Sequence, residues 1–191
     1  MNLILASASP RRQELLKLFG LPFVVRVADI DETMDAAKAP CDEVSRVSRC
    51  KAVAVPRQAG DVVIAADTIV VCEGKVLGKP KTEEEAFAML RLLSGRDHQV
   101  MTGVTVLRDE EIISFTEITD LHFRELSDQE IARYVASGEP MDKAGAYGIQ
   151  GGAALFCTHM VGDYYNVMGL PVCRLGQVLR NMIPEMMEED L

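Results

Sequence analysis

Four groups of residues in this chain carry side chains that suit chemistry on a phosphate-like anion. The first is Ser7-Ala8-Ser9-Pro10-Arg11-Arg12. Ser9 fits a helix N-cap and Pro10 the first helical position, so the turn leaves backbone N–H groups pointing outward as an anion site. The hydroxyls of Ser7 and Ser9 and the guanidiniums of Arg11 and Arg12 would add charge-assisted hydrogen bonds. Read blandly, the same turn is only a cap with two solvated arginines. The second group is Asp67, which closes the apolar run Asp61–Asp67. Open α/β sheets hold ligands at the carboxyl ends of their strands. A carboxylate there can bind Mg²⁺ or Mn²⁺, or take a proton from an attacking water. It can equally make a local turn with Thr68.

The third group is scattered. Lys79 lies in the turn Gly78-Lys79-Pro80 and Lys51 lies on a helix, and both can point back toward the strand end. Glu32, in the Asp31-Glu32 pair, is a candidate second metal carboxylate. Each also fits an ordinary solvated surface. The fourth is the run Glu139–Gly152, where Gly145, Gly148 and Gly151 mark tight geometry or close approach of the backbone to a ligand. Its Gln150 amide both donates and accepts, as a nucleobase edge requires. Composition alone leaves this segment a functional loop of unspecified purpose.

Several chemistries are disfavoured. There is no Gly-x-x-x-x-Gly-Lys-Ser/Thr loop, no Gly-x-Gly-x-x-Gly after a strand, and no Gly-x-Ser-x-Gly elbow. His98, His122 and His159 fall within strand patterns and read as structural, which argues against both a Ser-His-Asp triad and a zinc site. The five cysteines (41, 50, 72, 157, 173) are odd in number and form no Cys-x-x-Cys pair, so the expected setting is the reducing cytoplasm. A net charge of -9 disfavours nucleic acid. It does not exclude a small polyanion in a cleft lined by cations, because charges beyond the Debye length of about 8 Å are largely screened. No apolar run is long enough to span a bilayer, and Met1–Ala6 lacks the basic start of a signal peptide.

The elements that must position these residues follow from periodicity and capping. Leu3–Ala6 reads as a strand feeding a helix with the apolar stripe Leu15, Leu16, Leu18 and Phe19, ended by Gly20. Phe23–Val27 reads as a strand, Asp42 to about Val55 as a helix, Asp61–Asp67 as a strand buried on both faces, and Ile69–Val76 as a hairpin about Glu73-Gly74. Thr82 with Glu85, and Ser127 with Glu130, are capping boxes opening helices that run to Leu93 and Gly138. Gln99–Leu107 and Ile112–Phe123 alternate as long strands. Ala153–Val161 reads as a strand, Tyr164–Leu170 as a loop, Pro171 to about Met182 as a helix and Glu185–Leu191 as an acidic tail. With no repeat and no linker, the expectation is one α/β domain with a mixed sheet.

Taken together, Ser7–Arg12, Ala66-Asp67-Thr68, Gly78-Lys79-Pro80, Ser94-Gly95, Thr102-Gly103-Val104, Glu139–Gly151 and Tyr165–Pro171 resemble the Maf family of nucleoside triphosphate pyrophosphatases, in the family's order and approximate spacing. The resemblance implies a single domain over residues 1–191, with a mixed twisted sheet and flanking helices. It also implies an elongated, two-lobed architecture about a central cleft, related to the inosine triphosphate pyrophosphatases. Asp67 is then the catalytic acceptor, with Asp67 and Glu32 as metal carboxylates for a divalent cation, Mg²⁺ or Mn²⁺. Ser7, Arg11, Arg12, Lys51, Thr68, Lys79 and Gln150 are the expected substrate-binding residues. Arg11, Thr68 and Gln150 match the branch that prefers dTTP and UTP over 7-methylguanosine triphosphate. The expected activity is metal-dependent hydrolysis of those triphosphates to monophosphate and pyrophosphate. A homodimer is the assembly the resemblance suggests, with neither nucleic acid nor membrane as partner. A different class stays open: a nucleotide-binding regulator linked to septum formation without significant catalysis, although a pure binder need not keep Asp67.

Overall fold

The structure, a computed structural model, describes residues 1–187, so residues 188–191 of the expected acidic tail lie outside the described residues. Runs of Val, Ile and Leu set the sheet. β1 (Leu3–Leu5) is buried throughout and pairs in parallel with β2 (Phe23–Val25) on one side and β3 (Val62–Cys72) on the other, with Leu3 opposite both Phe23 and Val62. β4 (Lys75–Leu77) folds back antiparallel on β3. The connecting Glu73-Gly74 takes φ of 50° and 74°, the two-residue turn whose twist matches a hairpin. β5 (Asp97–Arg108) and β6 (Glu111–Phe123) complete the long strands, and β7 (Cys157–Val161) pairs antiparallel with β6. The order is β2-β1-β3-β5-β6-β7, with β4 on β3, giving the expected mixed α/β sheet.

The helices are α1 (Pro10–Leu16), α2 (Pro40–Ala54), α3 (Glu83–Leu93), α4 (Asp128–Ala136), α5 (Tyr164–Met168), α6 (Val172–Met182) and α7 (Pro184–Met187). Both predicted helix starts are capped, but only one is a full capping box. The Thr82 side chain accepts from the Glu85 N–H at 3.2 Å, while the Glu85 carboxylate takes the Lys81 N–H at 2.7 Å, one residue earlier than a box requires. Ser127 and Glu130 close the reciprocal box. Among the described residues no helix is long and apolar enough to cross a membrane.

The structure departs from the sequence reading in four places. β2 stops at Val25 rather than running to Val27. Asp67 does not end its strand, because β3 continues through Asp67-Thr68 to Cys72; the ladder overrides the polar pair that interrupts the apolar run. β7 begins only at Cys157, since Gly152–Leu155 forms a 3₁₀ turn instead. Tyr164–Met168 is a helical turn rather than irregular loop.

By their internal contacts the residues fall into two compact units. The first comprises residues 1–67, 102–117 and 169 onward; the second comprises 68–101 and 118–168. The core of the first holds Ile4, Leu5, Leu16, Val44, Val47, Ile64, Leu107, Leu175 and Leu179. Here Gly103 is required: a Cβ would overlap the Val44 carbonyl, so only glycine lets the α2 backbone lie this close to β5. That contact sets the helix carrying Lys51. The second unit packs Leu90, Leu93, Leu121 and Ile131 with edge-on rings, His98 on Phe123 at 4.7 Å and Phe123 on Tyr147 at 4.8 Å.

Candidate active site

In the first unit, α2 delivers Lys51 on its last turn, where a cation also complements the helix dipole. The Lys51 Nζ donates to Asp67 Oδ1 at 2.7 Å and lies 3.0 Å from Glu32 Oε1. The Lys51 and Asp67 side chains are each 13% exposed, whereas Glu32 is 56% exposed. One ammonium therefore bridges two carboxylates, one mostly buried in the strand and one open to solvent. The pairing, and the position of Asp67 inside a strand, replace the simple turn with Thr68 that the sequence also allowed.

Arg12 joins this cluster from α1. Its Nε donates to the Gly169 carbonyl at 2.8 Å, and its Nη1 donates to the Ala66 carbonyl at 2.9 Å and to Ser7 Oγ at 3.1 Å. Three acceptors at fixed angles suit the planar guanidinium fork. Burial lowers the pKa of Arg12, the charges of Asp67 and Glu32 pull it back up, and the neighbouring Arg11 lowers it again. An arginine stays charged regardless, so the cluster keeps a fixed cation beside Asp67. Ser7 is buried, and its Oγ also accepts the Ser9 N–H at 3.3 Å. Ser9 holds the N-cap position, as expected, but its own side chain makes no cap hydrogen bond.

The segment bearing Glu32 is tied down by residues the sequence reading did not single out. The Glu43 carboxylate, only 2% exposed, accepts the Asp35 N–H at 2.8 Å and the Arg46 guanidinium at 2.9–3.1 Å. Arg46 in turn donates to the Thr33 carbonyl at 2.8 Å. The Arg46 hydrogen bonds, with the Asp35 N–H next, hold the Glu43 carboxyl at about 2. A Glu and an Arg three apart on a helix face are a legible pair. What they anchor is not, because the acceptor is a backbone carbonyl in another segment.

The second unit holds Thr68, Lys79 and Gln150. Thr68 follows Asp67 on β3 and is half-buried. Lys79 is exposed in its turn after β4, and the preceding Gly78 carbonyl accepts the Gly145 N–H at 3.0 Å. Gly145 has φ of 67°, and a Cβ there would run into the Val70 side chain, so the glycine-rich segment lies directly on β3. Gln150 is exposed at the tip of a tight turn closed by the Gly151 N–H on the Gly148 carbonyl at 3.0 Å. The structure thus brings together two sets, Ser7 with Arg12 and Lys51 with Glu32 and Asp67, close enough that Arg12 feels the charges of Asp67, Arg11 and Glu32. It ties the Lys79 turn to the loop of Gln150.

Hard carboxylate oxygens suit Mg²⁺ or Mn²⁺. Among the described residues no three His, Cys, Asp or Glu side chains converge to cage an ion. The protein's offer is the Asp67–Glu32 pair, and Mg²⁺ is commonly held by one or two carboxylates completed by phosphate oxygens and water. The donor set fits that mode.

The cluster thus sets a fixed guanidinium beside an ammonium that bridges two carboxylates. The Maf-like protein family matches residues 2–182, and the chain belongs to that family. A dTTP/UTP pyrophosphatase of Bacillus cereus (strain AH820) is 49% identical over 180 residues, 94% of each chain. A dTTP/UTP pyrophosphatase of Bacillus anthracis matches at the same identity and coverage. Among solved structures, a HAM1 protein from Coxiella burnetii is 18% identical with a TM-score of 0.49, over 95% of this chain and 99% of that one.

Proposed function

We propose that this protein hydrolyses dTTP and UTP to the monophosphate and pyrophosphate, and that Asp67 is the group that accepts the proton of the attacking water. The observation that carries the reading is the Lys51 bridge between Asp67 and Glu32, set beside a thrice-held Arg12, in a chain half identical to dTTP/UTP pyrophosphatases.

Water attack on the α-phosphorus must build charge on the phosphoryl oxygens and expel pyrophosphate, a leaving group of high negative charge. Fixed cations aimed at that charge supply most of the stabilisation such a reaction needs. Arg12, held by two backbone carbonyls and Ser7, is the most rigid of them, and Arg11 adds a second guanidinium on the same turn. The Lys51 ammonium holds Asp67 Oδ1 at 2.7 Å and so orients the carboxylate that would accept the water proton. As the proton arrives on Asp67, Lys51 remains paired with Glu32, so the site does not acquire an isolated buried cation. Asp67 and Glu32 would hold a Mg²⁺ or Mn²⁺, which when bound neutralises phosphate charge and makes a coordinated water more acidic. Lys79 assists with the phosphates, and Thr68 and Gln150 are assigned to the pyrimidine. We place this activity in the cytoplasm, where free thiols such as those of all five cysteines persist.

Product analysis tests the reading. Purified protein with Mg²⁺ and dTTP is expected to release dTMP and pyrophosphate in equal amounts. Release of dTDP and orthophosphate overturns it. Tight dTTP binding without turnover in either Mg²⁺ or Mn²⁺ would favour the regulator instead.

A further inference from the structure

The glycine-rich segment of the second unit contains a hydrogen-bond arrangement that the reaction above does not use. Tyr134, on α4, donates from its hydroxyl to Glu139 Oε1 at 2.9 Å. The same hydroxyl accepts the Gly148 N–H at 3.0 Å. The other carboxylate oxygen, Oε2, accepts the Gly152 N–H at 3.1 Å. A tyrosine and a carboxylate thus grip the backbone at residues 148 and 152, the two ends of the turn that carries Gln150. Lys143 closes the arrangement from below, donating to the Glu139 carbonyl at 2.6 Å.

The glycines follow from this grip. A Cβ on Gly151 would overlap the Glu139 carboxylate, and a Cβ on Gly148 would press on the Lys143 stem. Glycine at these positions serves the approach of Glu139 and Lys143 rather than an unusual backbone angle. The ring of Tyr134 is buried edge-on against Phe156 at 5.2 Å, so the hydroxyl is fixed in place. Burial raises its pKa, the Gly148 N–H lowers it and the bond to Glu139 raises it again, with a net rise that keeps the hydroxyl a donor. Gln150 itself stays exposed at the tip of the turn.

We propose that Tyr134 and Glu139 are positioning residues for Gln150, and that by clamping the Gly148–Gly152 turn they set the enzyme's preference for pyrimidine triphosphates. The proposal rests on the assignment of Gln150 to the base. An amide discriminates between bases only if its donor and acceptor are held at a fixed angle; a loose one binds every base edge equally weakly. Neither Tyr134 nor Glu139 needs to touch the nucleotide for this role.

The test uses the full chain with Glu139→Ala, Glu139→Gln and Tyr134→Phe, assayed with Mg²⁺ on dTTP and on GTP, alongside amide hydrogen exchange of Gly148 and Gly152. Freeing one end of the turn is expected to raise KM for dTTP on the order of tenfold, with kcat nearly unchanged. GTP turnover should change little, so the preference for dTTP shrinks. Both glycine amides should exchange faster in Glu139→Ala and Tyr134→Phe. Glu139→Gln keeps an acceptor oxygen of the same reach and is expected to recover most of the preference. Wild-type exchange rates in Glu139→Ala and Tyr134→Phe overturn the clamp, as does an equal fall in kcat on both nucleotides. Wild-type protein that releases no pyrophosphate from dTTP overturns the proposed function and this role with it. Wild-type turnover with variants that keep the full preference overturns this role alone.

Discussion

The two units treat their polar groups in opposite ways. In the first, ionised side chains from distant positions in the chain (12, 32, 51 and 67) hold one another, two carboxylates on one ammonium with a guanidinium beside them. In the second, backbone amides are held by a tyrosine and a single carboxylate, next to a core where neutral His98 and Tyr147 share a hydrogen bond at 2.9 Å among aromatic rings. The contrast is one of division. On the proposed function, charged groups gather at the residues assigned to the phosphates, and hydrogen bonds to the backbone fix the turn that carries the residue assigned to the base. Altering the first unit's cluster should therefore cost rate, and altering the second's should cost selectivity or stability.

The largest expected effect is that of Asp67→Asn. The side chain keeps its size but cannot accept the water proton, and turnover should fall by about three orders of magnitude at unchanged Tm. Steady-state assay and a thermal melt check it together; near-normal activity would remove Asp67 from the reaction. Arg12→Lys comes next. A lysine cannot satisfy the Gly169 and Ala66 carbonyls and Ser7 at once, so kcat/KM should drop about a hundredfold. A loss under about threefold would contradict the rigid-clamp account.

The second unit offers a pH test. His98 is 3% exposed, and burial lowers its pKa to about 4, against an ordinary value of 6.5. The unfolded chain protonates this imidazole as pH falls below about 6.5, whereas the folded one resists until about 4. Stability is therefore full above 6.5 and lost progressively down to 4, in total on the order of 3 kcal/mol. Urea melts at pH 7 and pH 4.5 should show this slope, and His98→Gln should flatten it. The smallest effect is expected for Arg46→Ala, which leaves Glu43 with only the more distant Lys38 at 3.9 Å and frees the segment of Glu32 at the Thr33 carbonyl. A few-fold loss in kcat/KM for dTTP, measured by steady-state kinetics, is the predicted outcome.

What was legible in the sequence was what is local. The caps at Thr82 and Ser127 were readable because a hydroxyl three residues before a glutamate meets it within one helical turn. The Glu73-Gly74 hairpin is readable from its turn residues. The run of β3 past Asp67 was not, because two polar residues break its apolar pattern while the pairing of neighbouring strands carries it through. Nor were the acceptors of Arg12, since the Ala66 and Gly169 carbonyls exist at every residue and carry no side-chain signal. Glu139 likewise carries no signal of its role in a motif dominated by glycines. Only the folded chain reveals that Gly151 makes room for the carboxylate and Gly148 for the Lys143 stem.

Isotope incorporation tests the central claim most directly. Hydrolysis of dTTP in H₂¹⁸O should place one ¹⁸O in dTMP and none in pyrophosphate, because water attacks the α-phosphorus. Label appearing in the pyrophosphate, or in orthophosphate released from dTTP, would contradict the account.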